Sequence, residues 1–509
     1  MADNQKLILG HKPGLFVLFA TEMWERFSFY GMKALLIYYL TKYHLFTDVE
    51  GNLTVGSYAA MVYAFPVIGG YLADKYLGFR KAVIFGGILL VLGHIGMAFE
   101  GVPATIDAAG NVTRDEVSLQ FFYFSMALII GGVGFLKANI SSIVGNLYEV
   151  NDEKRDAGFT IFYMGINLGS FLATLFCGWL GETYGWNYGF GAAGIGMVIG
   201  LITFIWGQKF LIGTAEPPNP AFLNEKFYGL THEVWIYILG LVGVVISYGF
   251  VQQHTAVEIM LVCAGIISLV RIAYFMITTK DKIERDRLGV LTVLILFSII
   301  FWAIFEQAYT SLNLFADRVI DRSLDSGGEI PSTWFLSLNA LFIIIFAPIF
   351  AWLWVKLEHM NATPGSYLKF AFGILLAAAG FGVLVIGCKA AVDGHVNMWW
   401  LVVAYLLHTL GEICVSPVGL SSVTKLSPVK IVGFMMGVWF LATAGAEYIA
   451  VLLANIAQVK TDAGEVSDPS LALGSYQNLF GVLFYMGLAF GILLLLLSPI
   501  LKKLSHGIK

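Results

Sequence analysis

The stretch "TEMWERFSFYGMKALLIYYL" (residues 21–40) decides how the chain is read. Most of it is apolar enough to sit in lipid, yet Glu22, Glu25, Arg26 and Lys33 lie inside it. Charge at bilayer depth is costly and marks a pathway residue by default. At about 100° per residue, positions 22, 26, 29 and 33 fall within about 60° of one another, with Glu25 and Tyr30 flanking that arc. One face of the helix therefore carries the charges and leaves the rest for lipid or neighbouring helices. Glu22 and Arg26 are spaced i,i+4 and can neutralise each other.

The rest of the chain supports a membrane setting. Its 509 residues are 58% hydrophobic and 13% charged, with a mean hydropathy of +0.78. A soluble domain carries about 25% charged residues. The expectation is an all-α polytopic membrane protein with most of its surface in lipid or helix packing. Apolar runs long enough to span fall near 14–42, 55–77, 81–100, 117–147, 157–180, 188–212, 230–251, 255–278, 289–314, 333–356, 366–388, 396–424, 431–458 and 474–501, about 14 transmembrane helices in all. The runs are continuous rather than alternating, which argues against a β-barrel. The net charge of −4 gives no footprint for nucleic acid. Cys177, Cys263, Cys388 and Cys414 are scattered through apolar runs and read as packing residues.

Lysine and arginine alternate loop by loop. Lys75, Arg80, Lys81, Lys154, Arg155, Lys209, Lys226, Lys280, Lys282, Arg285, Arg287, Lys356, Lys369, Lys425, Lys430, Lys502, Lys503 and Lys509 fall on one side. Only Lys42, Arg114, Arg318, Arg322, Lys389 and Lys460 fall on the other. This bias predicts that both termini are cytoplasmic. Asn52 and Asn111 head NxT sequons on the opposite side. The segment 213–288 begins with "GTAEPPNPAFLNEKFYG", continues with two plain apolar runs and ends with "TTKDKIERDRLG". It reads as a helical hairpin inserted between an N-terminal six-helix bundle (1–212) and a C-terminal one (289–509). Two six-span halves are the layout of the major facilitator fold.

Further polar residues are buried in both halves. Lys137 lies in "GGVGFLKANISSIVGNLY" (131–148), and Glu306 follows Trp302 by one turn in "SIIFWAIFEQAYTSLNLF" (298–315). The next span offers Asn339. Glu412 lies one turn after His408, and Pro417 is expected to bend that helix. Trp439 and Glu447 share the penultimate span. Basic groups (Arg26, Lys33, Lys137) thus lie in the first half and unpaired acids (Glu306, Glu412, Glu447) in the second, which suits a small solute carrying a carboxylate and an ammonium. Carboxylates without water also favour holding a proton, which equips Glu306 and one of Glu22 or Glu25 to carry one. His94 and His408 read as packed core residues. The loop "DKYLGFRK" (74–81) reads as a latch, with Asp74 reaching a helix N-terminus or an arginine. Neither a nucleophile with its base nor a metal-binding motif is evident, so no enzyme is expected. No repeated filter loop suggests a channel.

These residues also form a series of motifs: Glu22-Met23-Trp24-Glu25-Arg26-Phe27, "GGYLADKYLGFRK" (69–81), "FYMGINLGSF" (162–171), "FWAIFEQ" (301–307), "SLN" (337–339) and "GEICVSPVGLS" (411–421). In this order the chain resembles the proton-dependent oligopeptide transporter family over nearly its whole length. The resemblance implies a major facilitator fold and proton-coupled import of di- and tripeptides by alternating access across a bacterial inner membrane. Protons would serve as coupling ion without metal or cofactor, and the protein would act as a monomer in membrane lipid. It implies that Glu412 binds the peptide amino terminus, that Arg26, Lys33 and Lys137 face its carboxylate, and that Asn167 and Asn339 bind its backbone. Tyr30, Tyr63, Trp302, Ser416 and Trp439 would shape the pocket. Glu22, Glu25, Arg26, Lys137 and Glu306 would couple protons to peptide movement. The alternative is a symporter of another small anionic or drug-like solute. Several positions depart from the family pattern. Phe29 replaces a tyrosine, Lys33 stands where arginine is common, and Ala138 and Ala340 replace prolines. Glu447 matches no family position.

Overall fold

The computed structural model describes residues 7–149, 152, 154–324, 327–360, 362–459, 461, 466 and 469–508. Lys6, near the first span, and Lys460 and Lys509 of the charge count lie outside them. A chain immersed in lipid must satisfy its backbone polar groups internally, and these long apolar runs do so as helices. In order they are α1 (Pro13–Tyr38), α2 (Asp48–Leu72), α3 (Phe79–Met97), α4 (Glu116–Asn146), α5 (Arg155–Tyr184), α6 (Trp186–Gly207), the short α7 (Pro220–Asn224), α8 (His232–Gln252), α9 (His254–Thr278), α10 (Lys282–Phe305), α11 (Ser311–Arg318), α12 (Ser337–His359), α13 (Ser366–Lys389), α14 (Met398–Leu426), α15 (Val432–Ala454) and α16 (Pro469–Leu504). Among the described residues, thirteen helical stretches are long and apolar enough to cross a membrane. The charged α1 brings the total to the expected fourteen. Side chains cap several starts: Asp115, Asp281 and Asn397 each accept a bond from the backbone two residues on.

The chain divides into two compact units, one of residues 1–45 and 61–254, the other of 46–60 and 255–509. In the first, α1 packs on α5 and α6, and α3 on α4. Phe27, Ala173, Cys177 and Ala193 form one buried knot there, and the Ser28 hydroxyl donates to the Ala193 carbonyl at 2.6 Å. In the second, α13 packs on α14 and α16. His408 lies there against the Phe381 ring, 4.6 Å between centroids. Pro417 sits inside a continuous α14.

Two features were not legible in the sequence. The start of α2 is held inside the second unit by a bidentate ion pair, with both Asp48 oxygens 2.8 Å from the Arg318 guanidinium. Asp48 also accepts from the Val459 amide at 3.1 Å. Arg318 read as a loop charge, but it ends α11 and its side chain is only 3% exposed. A buried charge that loses its partner is strongly destabilising. Asp48→Asn retains one acceptor, so it should lower stability by about 2 kcal/mol, measured as detergent melting. Four residues along, Asn52 is buried and donates to the Asn455 side chain at 3.0 Å. Asn52 is thus a packing residue in the folded protein, whereas Asn111 is exposed in the 105–113 hairpin.

The second feature is a π-helical turn, Tyr39–Tyr43, that carries α1 to His44. His44 is buried beneath Arg114, which donates to the carbonyls of His44 at 2.7 Å and Leu45 at 2.9 Å. Burial first, and the Arg114 charge second, push the imidazole down from 6.5 to about 4. The folded protein thus prefers the neutral ring. The resulting stability is complete above pH 6.5 and is lost as pH falls through about 4. Melting followed across that window should show a loss of about 3 kcal/mol, and His44→Phe should flatten the profile.

Candidate functional site

The charged face of α1 is buried as its pattern requires. Glu22, Glu25, Arg26 and Lys33 are each at most 3% exposed. Arg26 Nε lies 3.0 Å from Glu22 and also contacts Glu25, so two carboxylates share one guanidinium. Glu22 Oε2 and Glu25 Oε1 have no hydrogen-bond partner among the described residues. A buried acceptor without a donor is costly, and such oxygens are natural places for a proton. Lys137, on α4, interacts electrostatically with Arg26, Glu25, Glu22 and Lys33. Its ammonium lies 4.0 Å from the centre of the Tyr63 ring, a cation–π contact that stabilises the charge without consuming its donors. Tyr30 and Tyr63 both lie close enough to Arg26 to interact with it.

The glycines of "FYMGINLGSF" explain how α5 reaches this face. A side chain at Gly165 would strike Phe19, and one at Gly169 would strike the Met23 carbonyl and approach Arg26 Cβ. Small residues allow the two helices to close on each other. Asn167 lies between these glycines, buried, and donates to the Tyr163 carbonyl at 3.0 Å.

The second unit carries further buried acids. The 289–314 run read as one span, but α10 stops at Phe305 and Glu306 opens a 3-10 turn, Glu306–Tyr309, before α11. Glu306 therefore sits, buried, at a break in the helix, where such breaks line functional cavities rather than lipid. Gln307 holds the break by donating to the Ala450 carbonyl at 2.7 Å. Asn339, in the first turn of α12, donates to Glu412 at 2.8 Å and to the Thr409 hydroxyl at 3.1 Å. Thr409 in turn donates to the Tyr405 carbonyl at 2.7 Å. The carboxylate of Glu412 is thus aimed by one donor, Asn339, which Thr409 holds in place, and it interacts electrostatically with Glu306. Thr409 was missed in the sequence, although its i,i+3 spacing from Glu412 could have revealed it.

The aromatic residues are less uniform. Trp302 is half-buried and edge-on to Phe305, 5.4 Å between centroids. Trp439 is buried against Gly419 of α14. Ser416 lies half-buried one turn beyond Glu412. The latch also differs from expectation. Asp74 is exposed, and the contacts are made instead by Arg80 and Lys81, which bind Glu216 at 2.9 Å and Glu233 at 2.6 Å. Asp74 lies in a π-helical turn, Ala73–Leu77, that points its carboxylate to solvent.

Comparison with known proteins places this arrangement. The family model described as the POT family matches residues 80–469. The "Uncharacterized transporter YclF" of Bacillus subtilis (strain 168) is 39% identical, with 99% of this chain and 97% of that protein aligned. The "Peptide transporter YePEPT" of Yersinia enterocolitica is 37% identical over 90% of each chain. A crystal structure of a mutant peptide transporter POT in complex with alafosfalin superposes with a TM-score of 0.79 at 36% identity, covering 99% of this chain and 98% of that one.

Proposed function

The chain belongs to the POT family, and on that premise we propose that it is a proton-coupled symporter that imports di- and tripeptides by alternating access. It is a multi-pass membrane protein, and its family and relatives are transporters. Our placement is the bacterial inner membrane, with both termini cytoplasmic, and the working unit is a monomer.

The observation that carries this reading is the pair of buried, oppositely signed clusters. Arg26, Lys33 and Lys137 supply cations for a peptide carboxylate. Glu412, already aimed by Asn339, supplies an anion for the ammonium. Asn167 and Asn339 offer amides for the backbone, and Tyr30, Tyr63, Trp302, Ser416 and Trp439 shape the side-chain pockets. Glu22, Glu25 and Glu306 carry the proton. With Glu306 protonated, it no longer competes with the peptide carboxylate for cations, and the peptide binds. On exposure to the higher pH of the cytoplasm the proton leaves, and the restored charge displaces the peptide. Two acids on one arginine give Glu22 and Glu25 the same option. One can take a proton while the other keeps the guanidinium.

The test is transport by purified protein in vesicles. An acid-outside gradient should drive uptake of labelled dialanine above its equilibrium level, and collapsing the gradient should abolish the excess. Downhill flow alone would indicate a channel, and cleaved dialanine an enzyme.

A further inference from the structure

The linker and the first helix of the inserted hairpin form an extensive joint within the first unit. The Arg80 amide donates to the Ala215 carbonyl at 3.1 Å, and its guanidinium binds Glu216 at 2.9 Å. The Asn146 side chain, at the end of α4, donates to the Thr214 carbonyl at 2.8 Å. Gly78 has φ +75°, and a Cβ there would meet the backbone nitrogen of Pro217 at 2.5 Å. The turn and the linker therefore fit backbone to backbone at that point. At the start of α8, Glu233 binds Lys81 with one oxygen at 2.6 Å and accepts from the Tyr237 hydroxyl with the other at 2.9 Å.

Apolar contacts run beneath these pairs. Leu77 of the turn, Leu223 of α7, Ile236 of α8 and Phe135 of α4 share one buried cluster. Further along α8, Gly240 rests on Phe85 and Phe135, and Val244 is seated against Gly131 of α4. Phe135 lies two residues from Lys137. The joint thus reaches from the signature turn to the helix that carries a cation of the proposed site. Opening it would return Leu77, Leu223 and Ile236 to water, which opposes separation on every cycle.

We propose that α8 and linker 213–231 are a brace that remains seated on the α2–α3 turn and on α4 throughout transport, with Glu216 and Glu233 as positioning residues for the helix bearing Lys137. The inference rests on the transport reading for the existence of a cycle. It assigns the inserted hairpin's first helix a task, and it makes the Arg80 and Lys81 contacts permanent struts rather than a latch.

Two measurements test it, both on vesicles in which the unmodified protein already exchanges dialanine. Failure of that exchange would count against the transport reading itself. First, Lys81→Cys and Glu233→Cys, on a Cys263→Ser background, are bridged by a reducible bis-thiosulfonate spanning the lost side chains. The bridged protein should exchange dialanine within about twofold of the unbridged one. A block relieved by reductant would overturn the brace, because the joint would then have to open. Second, Glu216→Gln with Glu233→Gln should raise the half-saturation concentration for dialanine about fivefold. The exchanged pair Lys81→Glu with Glu233→Lys should keep it near the original value. An unchanged half-saturation in the double glutamine variant, or no retention by the exchanged pair, would refute the positioning role.

Discussion

Glu412→Gln should raise the half-saturation concentration for dialanine by about a hundredfold. Glutamine keeps an oxygen able to accept from Asn339, so the local bond at 2.8 Å survives and the fold is undisturbed. What disappears is the charge that meets the peptide ammonium. Removing one side of a desolvated charge pair costs about 3 kcal/mol, and each 1.4 kcal/mol is about tenfold. Asn339→Ala should act in the same direction but more weakly, because the carboxylate remains and loses only its orientation. Equilibrium binding to detergent-purified protein gives the comparison. Equal affinities for Glu412→Gln and the unmodified protein would remove Glu412 from the site.

Glu22→Gln should abolish accumulation while leaving exchange intact. One charge moved through 100 mV contributes about 2.3 kcal/mol, enough for roughly fiftyfold accumulation. The amide cannot release a proton, so the variant should equilibrate dialanine and go no further. Arg26 keeps Glu25 as its partner, which preserves a charge pair on α1 for the exchange reaction. Loss of both activities would indicate a structural lock between helices. Retention of both would move the proton to another carboxylate, with Glu306 next in order.

The fold was legible wherever lipid dictates the pattern. Each of the fourteen apolar runs is helical, because a continuous apolar run in lipid has no other way to satisfy its backbone. The charged stripe of α1 was legible for a related reason: four ionisable groups can be buried there only if they share a face and partners, and Arg26 between Glu22 and Glu25 does so. What escaped was everything decided by long-range partners. Arg318 and Asp48 are 270 positions apart, and nothing local distinguishes a buried bidentate arginine from a loop charge. The break at Glu306 was hidden because Glu, Gln and Ala are all good helix formers and no Gly or Pro interrupts Phe305 through Tyr309. Asp74 looked like the working residue of its loop, but the π-helical turn rotates it to solvent and leaves Arg80 and Lys81 to meet the linker. Asn52 heads a sequon, and nothing local announces that its side chain is buried against Asn455.

In the proposed mechanism the two ends of a peptide are read by charges of opposite sign. The decisive experiment is competition against labelled dialanine by end-blocked analogues, at one pH and in binding equilibrium. Dialanine amide and N-acetyl-dialanine should each compete at least tenfold more weakly than dialanine, with Glu412→Gln erasing only the penalty for acetylation and Lys137→Gln only the penalty for amidation. If both blocked peptides compete as well as dialanine in the unmodified protein, the clusters do not read the termini and the account fails.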